Sequence, residues 1–235
     1  SVNKALERLK QQPVYSIIGI TTPGGILPDY LLKEIEHSLD SGLHIVNGLH
    51  QPLSDFPDIQ KKADSTGSRI FDIRRPKPFQ ELNFWNGSIL KVQTPRIALL
   101  GTDCALGKRT TARWLTEICN KKGIHSEMIY TGQTGWMQGA KYSMVMDSCI
   151  NDFVSGEIEH AVVSAYKNED PDVIVIEGQG SLMNPAYPGG FEILAAGRPD
   201  YVILQHAPKR LEYDGFPGYK TVSYTHLTLP TTPYV

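Results

Sequence analysis

Short apolar runs alternate with helical periodicities along most of the chain. After a helix-like stretch from Asn3 to Lys10, the β-branched run Val14–Ile20 (VYSIIGI) predicts a strand, followed by a turn at Thr21–Gly25 (TTPGG). Asp29 stands at an N-cap position ahead of YLLKEIEHSL, whose Leu31, Leu32, Ile35 and Leu39 share one helical face, and Gly42 ends that helix. His44–Leu49 (HIVNGL) predicts a second, buried strand. A polar helix follows from about Asp58 to Ser65, stopped by Gly67, and Arg69–Arg75 (RIFDIRR) gives a third strand. Strands alternating with helices predict a parallel sheet with right-handed crossovers.

The Pro-, Asn- and Gly-rich stretch Pro76–Ser88 breaks this rhythm and suggests a domain boundary near Gly87. The alternation then restarts. Arg96–Gly101 (RIALLG) reads as a strand, and Lys108–Gly123 as a helix with Ala112, Leu115 and Ile118 inward. Ser126–Gly132 (SEMIYTG) is a strand leading into the glycine-rich turn Gly132–Gly139 (GQTGWMQG). A long helix is expected from about Asn151 to Tyr166. Asp172–Gly180 (DVIVIEGQG) and Tyr201–His206 (YVILQH) complete the set, and strands this apolar are expected to be covered on both faces.

Composition narrows the function classes. The 235 residues carry a net charge of −2 with acids and bases interspersed, so the basic stripe of a nucleic-acid binder is missing. A small-molecule partner is the expectation. No apolar run approaches the ~20 residues of a membrane span. The three cysteines, Cys104, Cys119 and Cys149, match no zinc spacing and point to a reducing, cytoplasmic compartment. From about Val222 to Val235 (VSYTHLTLPTTPYV) the periodicity stops. This tail resembles translated read-through of a sequencing adapter, the alternative being a natural disordered tail. Loss of late strands from a parallel sheet would expose an apolar edge.

The chemistry concentrates in RIALLGTDCALGKRTT. A buried strand runs into a loop bounded by Gly101 and Gly107, then Lys108, then hydroxyl residues opening a helix. Glycines allow close backbone approach, successive N–H groups form an anion nest at the positive end of a helix dipole, and the lysine supplies a cation for outer phosphate oxygens. The expected phosphate-binding residues are Gly101, Thr102, Asp103, Cys104, Ala105, Leu106, Gly107, Lys108, Arg109, Thr110 and Thr111. Two departures from the usual P-loop stand out: the glycine spacing is one residue longer, and Arg109 replaces the magnesium-binding Ser/Thr. A metal is therefore left open, with Thr110 or Thr111 as substitutes.

Glu177 ends the apolar strand before a Gly-X-Gly turn, where a P-loop sheet often places an acid facing a metal or a reacting proton. It is the first candidate for general base, and His206, at the end of the last strand, is the second. Gln133 and Thr134 are candidate ligand hydrogen-bonders. Asp152, Glu157 and Glu159 could meet an amine, although acids in a first helical turn more often serve the dipole. In the first half, Asn47, His50, Arg74 and Arg75 could form an anion site, with Arg74 or Arg75 pairing a substrate carboxylate, or the arginines could pair with nearby acids.

The segments VNGLHQPLSDFPDI, FDIRRPKPF, GTDCALGKRTT, YTGQTGWMQG, DFVSGEIEHAV and IEGQGSLMNPAYPG resemble, in that order, a family of bacterial two-domain P-loop proteins. That family was long a domain of unknown function, and it includes a D-glutamate N-acetyltransferase of D-amino-acid catabolism. The resemblance covers about Val14 to Lys220. GTD-x-x-x-GK with EG-x-G-x-x-x-P is also similar to dethiobiotin synthetase, an ATP-dependent ligase, which has Thr where this chain has Arg109. The resemblance implies a Rossmann-like N-terminal parallel-sheet domain (1–87), a P-loop NTPase-like parallel α/β domain (88–221) incomplete at its C-terminal end, and the tail (222–235). It implies acetyl transfer from acetyl-CoA to the amine of D-glutamate or a related amino acid, the P-loop holding the coenzyme phosphates. The alternatives are an ATP- and Mg²⁺-dependent ligase or kinase, and a regulator that binds nucleotide without turnover. Homo-oligomerisation is left open.

Overall fold

In the computed structural model, residues 1–20, 22 and 26–221 are described. The tail, and the expected Thr21–Gly25 turn apart from Thr22, lie outside the described residues. The chain divides into two compact units, Ser1–Lys77 and Pro78–Val235.

The first unit is a parallel three-stranded sheet, β1 (Tyr15–Ile18), β2 (His44–Asn47) and β3 (Ile70–Asp72), in that order. Three helices accompany it: the short α1 (Val2–Leu6), α2 (Asp29–Asp40) and α3 (Pro57–Thr66). Ile35 and Leu39 of α2 and Ile59 and Ala63 of α3 pack with Ile45 into one core. The expected N-cap at Asp29 moves by one position. Pro28 caps the helix in an extended conformation, and Asp29 becomes the first helical residue, where its charge favours the dipole. Gly67, at φ 70°, ends α3 in the left-handed region as the sequence suggests.

The second unit is a five-stranded parallel sheet in the order β6-β5-β7-β4-β8. Its strands are β4 (Arg96–Gly101), β5 (Ser126–Tyr130), β6 (Tyr142–Ser143), β7 (Val173–Glu177) and β8 (Tyr201–Gln205). The helices are α4 (Lys108–Lys121), α5 (Gln133–Met137), α6 (Asn151–Glu169) and α7 (Gly190–Gly197). The main core sets α6 and α7 residues Ile158, Val162 and Ile193 against Leu100, Ile129 and Ile176 of the strands. Ala112 of α4 packs on the other face with Leu99 and Val175.

Several expectations change. Ile118 points to solvent rather than inward. The glycine-rich turn after β5 is the short helix α5, whose Gly135 lies against the Tyr130 ring where a Cβ would clash at 2.4 Å. Glu157 and Glu159 are buried, and they are not an amine site. Glu157 accepts from Asn83 (backbone and side chain), and Glu159 accepts from the backbone of Asn86 and Ile89. They hold residues 83–89 onto α6, so the stretch that reads as a linker belongs to the second unit. Both faces of β7 are covered, as expected, but β8 is an edge strand with Tyr201, Val202, Ile203 and Leu204 exposed.

Candidate functional site: a phosphate-binding crevice

The strand order puts β4, which feeds the P-loop, between β7 and β8. Glu177 and His206 therefore flank the loop from either side, at the carboxyl ends of the strands where open α/β sheets bind ligands.

The loop itself has the geometry of an anion nest. Ala105, at φ 48°, and Gly107, at φ 87°, both adopt left-handed backbone, and the alanine does so at a steric cost that glycine avoids. Among the described residues, no acceptor meets the backbone N–H groups of Ala105, Leu106, Gly107, Lys108 or Arg109. These donors open onto the N-terminus of α4, a 14-residue helix. Lys108 is buried, its Nζ donating to the Asp103 carbonyl at 2.8 Å, and burial lowers its pKa from the usual 10.5. Two glycines clear its path. A Cβ on either Gly101 or Gly178 would stand 3.0 Å from the Lys108 Cδ, and one on Gly178 would also meet the Leu99 carbonyl at 1.9 Å. Gly178 is thus required where β7 leaves the sheet beside the lysine.

Glu177 is buried at the end of β7, with Oε2 accepting from the Thr131 N–H at 3.0 Å. Burial raises its pKa above 4.5, and the Thr131 and Gly132 N–H groups and the charges of Arg109 and Lys108 offset only part of that rise. A carboxylate of this kind is a better base than an exposed one. Gln133 and Thr134, half-buried in the first turn of α5, follow directly on this contact. The ring of His206 lies 2.9 Å from the hydroxyl of buried Thr102. Thr110 is exposed, whereas Thr111 and Arg109 are half-buried.

Asp103 plays a part that the sequence did not reveal. Its side chain is buried; Oδ1 accepts from Asn184 Nδ2 and the Cys104 N–H, and Oδ2 from Arg210 Nη1 and the Asp214 N–H. Burial alone would raise its pKa, but these four donors outweigh it and hold the carboxyl below its usual 3.8. Arg210 also donates to the Cys104 and Ala105 carbonyls, and Gln205 to the Leu106 carbonyl. Asn184, Gln205, Arg210 and Asp214 were missed. Their only signal is position, Asn184 in the loop after β7, Gln205 at the end of β8, and Arg210 and Asp214 in the loop after it. Cys104 is half-buried, and burial raises its thiol pKa, which does not favour a nucleophile.

The strand-end residues of the first unit form a separate network. Asp72 accepts from Asn47 Nδ2, the Leu53 and Ser54 N–H groups and the Ser54 hydroxyl. Arg75 pairs with Asp55 and donates to Ser54, and Arg74 contacts His50 at 2.8 Å. Among the described residues, one metal-compatible set occurs, His125, Glu127 and Glu169. It lies at the amino ends of the strands, away from the P-loop, and Glu169 there already accepts from Lys141 and Tyr142. No helix among the described residues is long and apolar enough to cross a membrane.

Fold and site together define a P-loop α/β protein preceded by a Rossmann-like unit. The chain belongs to the DUF1611 family: residues 1–76 match the Rossmann-like N-terminal domain of unknown function, and residues 83–229 the P-loop C-terminal one. It is 32% identical over 212 residues to a D-glutamate N-acetyltransferase of Tritonibacter scottomollicae, covering 90% of this chain and 61% of that protein. A D-glutamate N-acetyltransferase of a Pseudoalteromonas species is 30% identical, with 87% and 61% covered. The chain thus spans about three-fifths of the length of these curated relatives. The crystal structure of a DUF1611 family protein from Anabaena variabilis superposes with a TM-score of 0.84 at 32% identity, covering 94% of this chain and 62% of that one.

Proposed function

We propose that this chain transfers an acetyl group from acetyl-CoA to the amine of D-glutamate or a related amino acid, with the P-loop holding the coenzyme's phosphates. The observation that carries this reading is the run of N–H donors from Ala105 to Arg109 that meet no acceptor among the described residues, together with buried Lys108, beside a buried carboxylate whose pKa is raised. Its chemistry is supported by the names of the relatives.

The thioester supplies the activated acyl group. Lys108 and the nest bind phosphate without needing a metal, and Arg109 stands where a magnesium ligand is usual. Glu177 takes a proton from the substrate ammonium, freeing the nitrogen lone pair. As the N–C bond forms, the C–S bond breaks. The amine yields its second proton, so that one proton reaches the departing sulfur and one reaches solvent. His206, held beside Thr102, is the second candidate base.

A second reading, an ATP- and Mg²⁺-dependent ligase or kinase, is favoured by the position of Glu177 on the strand beside the P-loop strand, where a carboxylate can face the metal. The two separate in one assay. The protein is incubated with acetyl-CoA and either D- or L-glutamate, without ATP, and free thiol is followed. Thiol release with D-glutamate that disappears in Lys108→Ala is the expected result. No release with any amino acid, but ADP formation on adding Mg-ATP, would replace the first reading with the second.

A further inference from the structure

The loops after β7 and β8, which flank the P-loop, carry an aromatic feature that phosphate binding and proton transfer do not use. Tyr187, in the loop after β7, has its ring 6.1 Å from Phe216, and Phe216 is 6.5 Å from Tyr219. Phe216 and Tyr219 belong to the loop after β8. Phe216 is half-buried between its neighbours, whereas Tyr187 and Tyr219 are 51% and 69% exposed. The contacts are tilted and edge-on, at 57° and 87°, so Phe216 does not lie flat on either tyrosine ring.

Both loops are built rather than loose. In the second, Thr221 donates to the Leu211 carbonyl, Tyr213 to Tyr219, Phe216 to Tyr213 and Tyr219 to Phe216, with Gly215 and Gly218 at positive φ making the bends. In the first, the Ser181 N–H donates to the Tyr187 carbonyl at 2.7 Å, and Tyr187 to Asn184. A Cβ on Gly180 would stand 2.5 Å from that same Tyr187 carbonyl. The loops converge on one residue. Asn184 from the first bonds Asp103 Oδ1, while Arg210 and Asp214 from the second bond Oδ2. Asp103 lies inside the P-loop, so the loop that meets the phosphates also fixes the position of the aromatic rings. Exposed aromatic rings on ordered backbone, tied to a phosphate site, match the needs of a ligand that has both a phosphate tail and a flat heteroaromatic base.

We propose that Tyr187, Phe216 and Tyr219 form a shelf on which the purine base of the P-loop ligand stacks. This rests on the reading of the P-loop as a phosphate site and adds the adenine moiety to it. Adenine is common to coenzyme A and ATP, so the shelf serves either source. Stacking of a base on an aromatic side chain is worth about 1–3 kcal/mol on truncation, or roughly 5- to 150-fold in affinity.

The test is equilibrium binding of inorganic pyrophosphate, ADP, ATP with Mg²⁺, coenzyme A and 4′-phosphopantetheine to the full chain and to Tyr187→Leu, Tyr219→Leu and the double variant. Thermal unfolding and far-UV spectra verify that each variant is folded. These side chains are exposed, so folding is expected to survive. In the wild type, ADP and coenzyme A should bind more tightly than pyrophosphate and phosphopantetheine. The double variant should lose at least tenfold for ADP and coenzyme A and less than twofold for pyrophosphate. Tighter binding of coenzyme A than of Mg-ATP would mark the coenzyme as the source of the base, and the reverse would mark the nucleotide; both are consistent with the shelf. Equal losses for ADP and pyrophosphate, or no loss for either, would overturn the shelf while leaving the P-loop reading intact. Failure of the wild type to bind any of the five would overturn the P-loop reading, and the shelf with it.

Discussion

Both units end parallel strands in polar clusters, yet the two clusters behave oppositely. At the ends of β2 and β3, Asp72 is met by four donors, and Arg75 pairs with Asp55, so donors and acceptors satisfy one another. At the end of β4, successive backbone donors from Ala105 to Arg109 meet no acceptor among the described residues, and the Lys108 ammonium donates to the Asp103 carbonyl. The first cluster completes a fold. The second points a row of backbone donors at the mouth of the loop, an arrangement suited to an anion. Polar residues at a strand end therefore mark a ligand site when their hydrogen-bonding capacity is left open, and not by their presence alone.

The largest contrast should come from the cations. Lys108→Ala is expected to reduce kcat/KM for thiol release from acetyl-CoA by about 10- to 150-fold, chiefly through KM, the cost of losing a hydrogen bond to a charged phosphate of about 1.5–3 kcal/mol. Arg75→Ala should leave the same parameter within about twofold, a difference that steady-state kinetics on the two variants would register. Equal effects would erase the distinction between the two clusters.

Next in size are changes to backbone fit. Gly178→Ala would drive a methyl group into the Leu99 carbonyl and the Lys108 stem, and is expected to cost about 1–3 kcal/mol in urea unfolding. Gly42→Ala, in open space at the end of α2, should cost less, chiefly through its positive φ. Asp72→Ala should also cost about 1–3 kcal/mol by stranding the donors to its carboxylate, without touching coenzyme binding.

The titrations of Glu177 and Asp103 should have opposite signs. The folded pKa of Glu177 lies above its usual 4.5, so its contribution to stability is present below that pH and is lost as pH rises through the folded value. Glu177→Gln should therefore gain stability relative to the wild type at pH 8 and not at pH 4. It should also remove the acidic limb of the kcat/KM profile, which is displaced above 4.5. Asp103, held below 3.8, contributes stability above that value that is lost as pH falls through its folded pKa. Thermal midpoints across pH 2–8 for the two Asn/Gln variants would check both signs. The smallest effect should be that of Arg75→Ala on stability, about 0–1 kcal/mol, because the Arg75–Asp55 pair is exposed.

Much of this was legible in the chain. The β-branched runs and glycine stops gave both parallel sheets except the two-residue edge strand β6, and the order strand, glycine loop, Gly-Lys, helix located the P-loop. The apolar run VIVIE followed by Gly-X-Gly placed Glu177 next to it. What stayed hidden was non-local. Nothing near Glu157 or Glu159 shows that residues 83–89 fold back to meet them from some 70 positions away. Arg210 and Asp214 reach Asp103 from more than 100 positions away, and no periodicity records that. YVILQ is exposed on both faces at the edge of the sheet, a position that composition does not specify. Asp103 reads as a ligand residue because it lies inside the motif, whereas its carboxylate bonds inward to the two flanking loops.

The proposed function requires that the P-loop hold the phosphates of the coenzyme. Calorimetric titration of the wild type and Lys108→Ala with coenzyme A, and with pantetheine, which lacks every phosphate, tests this most directly. The expected result is that coenzyme A binds the wild type, binds Lys108→Ala at least tenfold more weakly, and that pantetheine binds neither. Equal binding of coenzyme A to both proteins, or binding of pantetheine as tight as that of coenzyme A, would contradict the assignment.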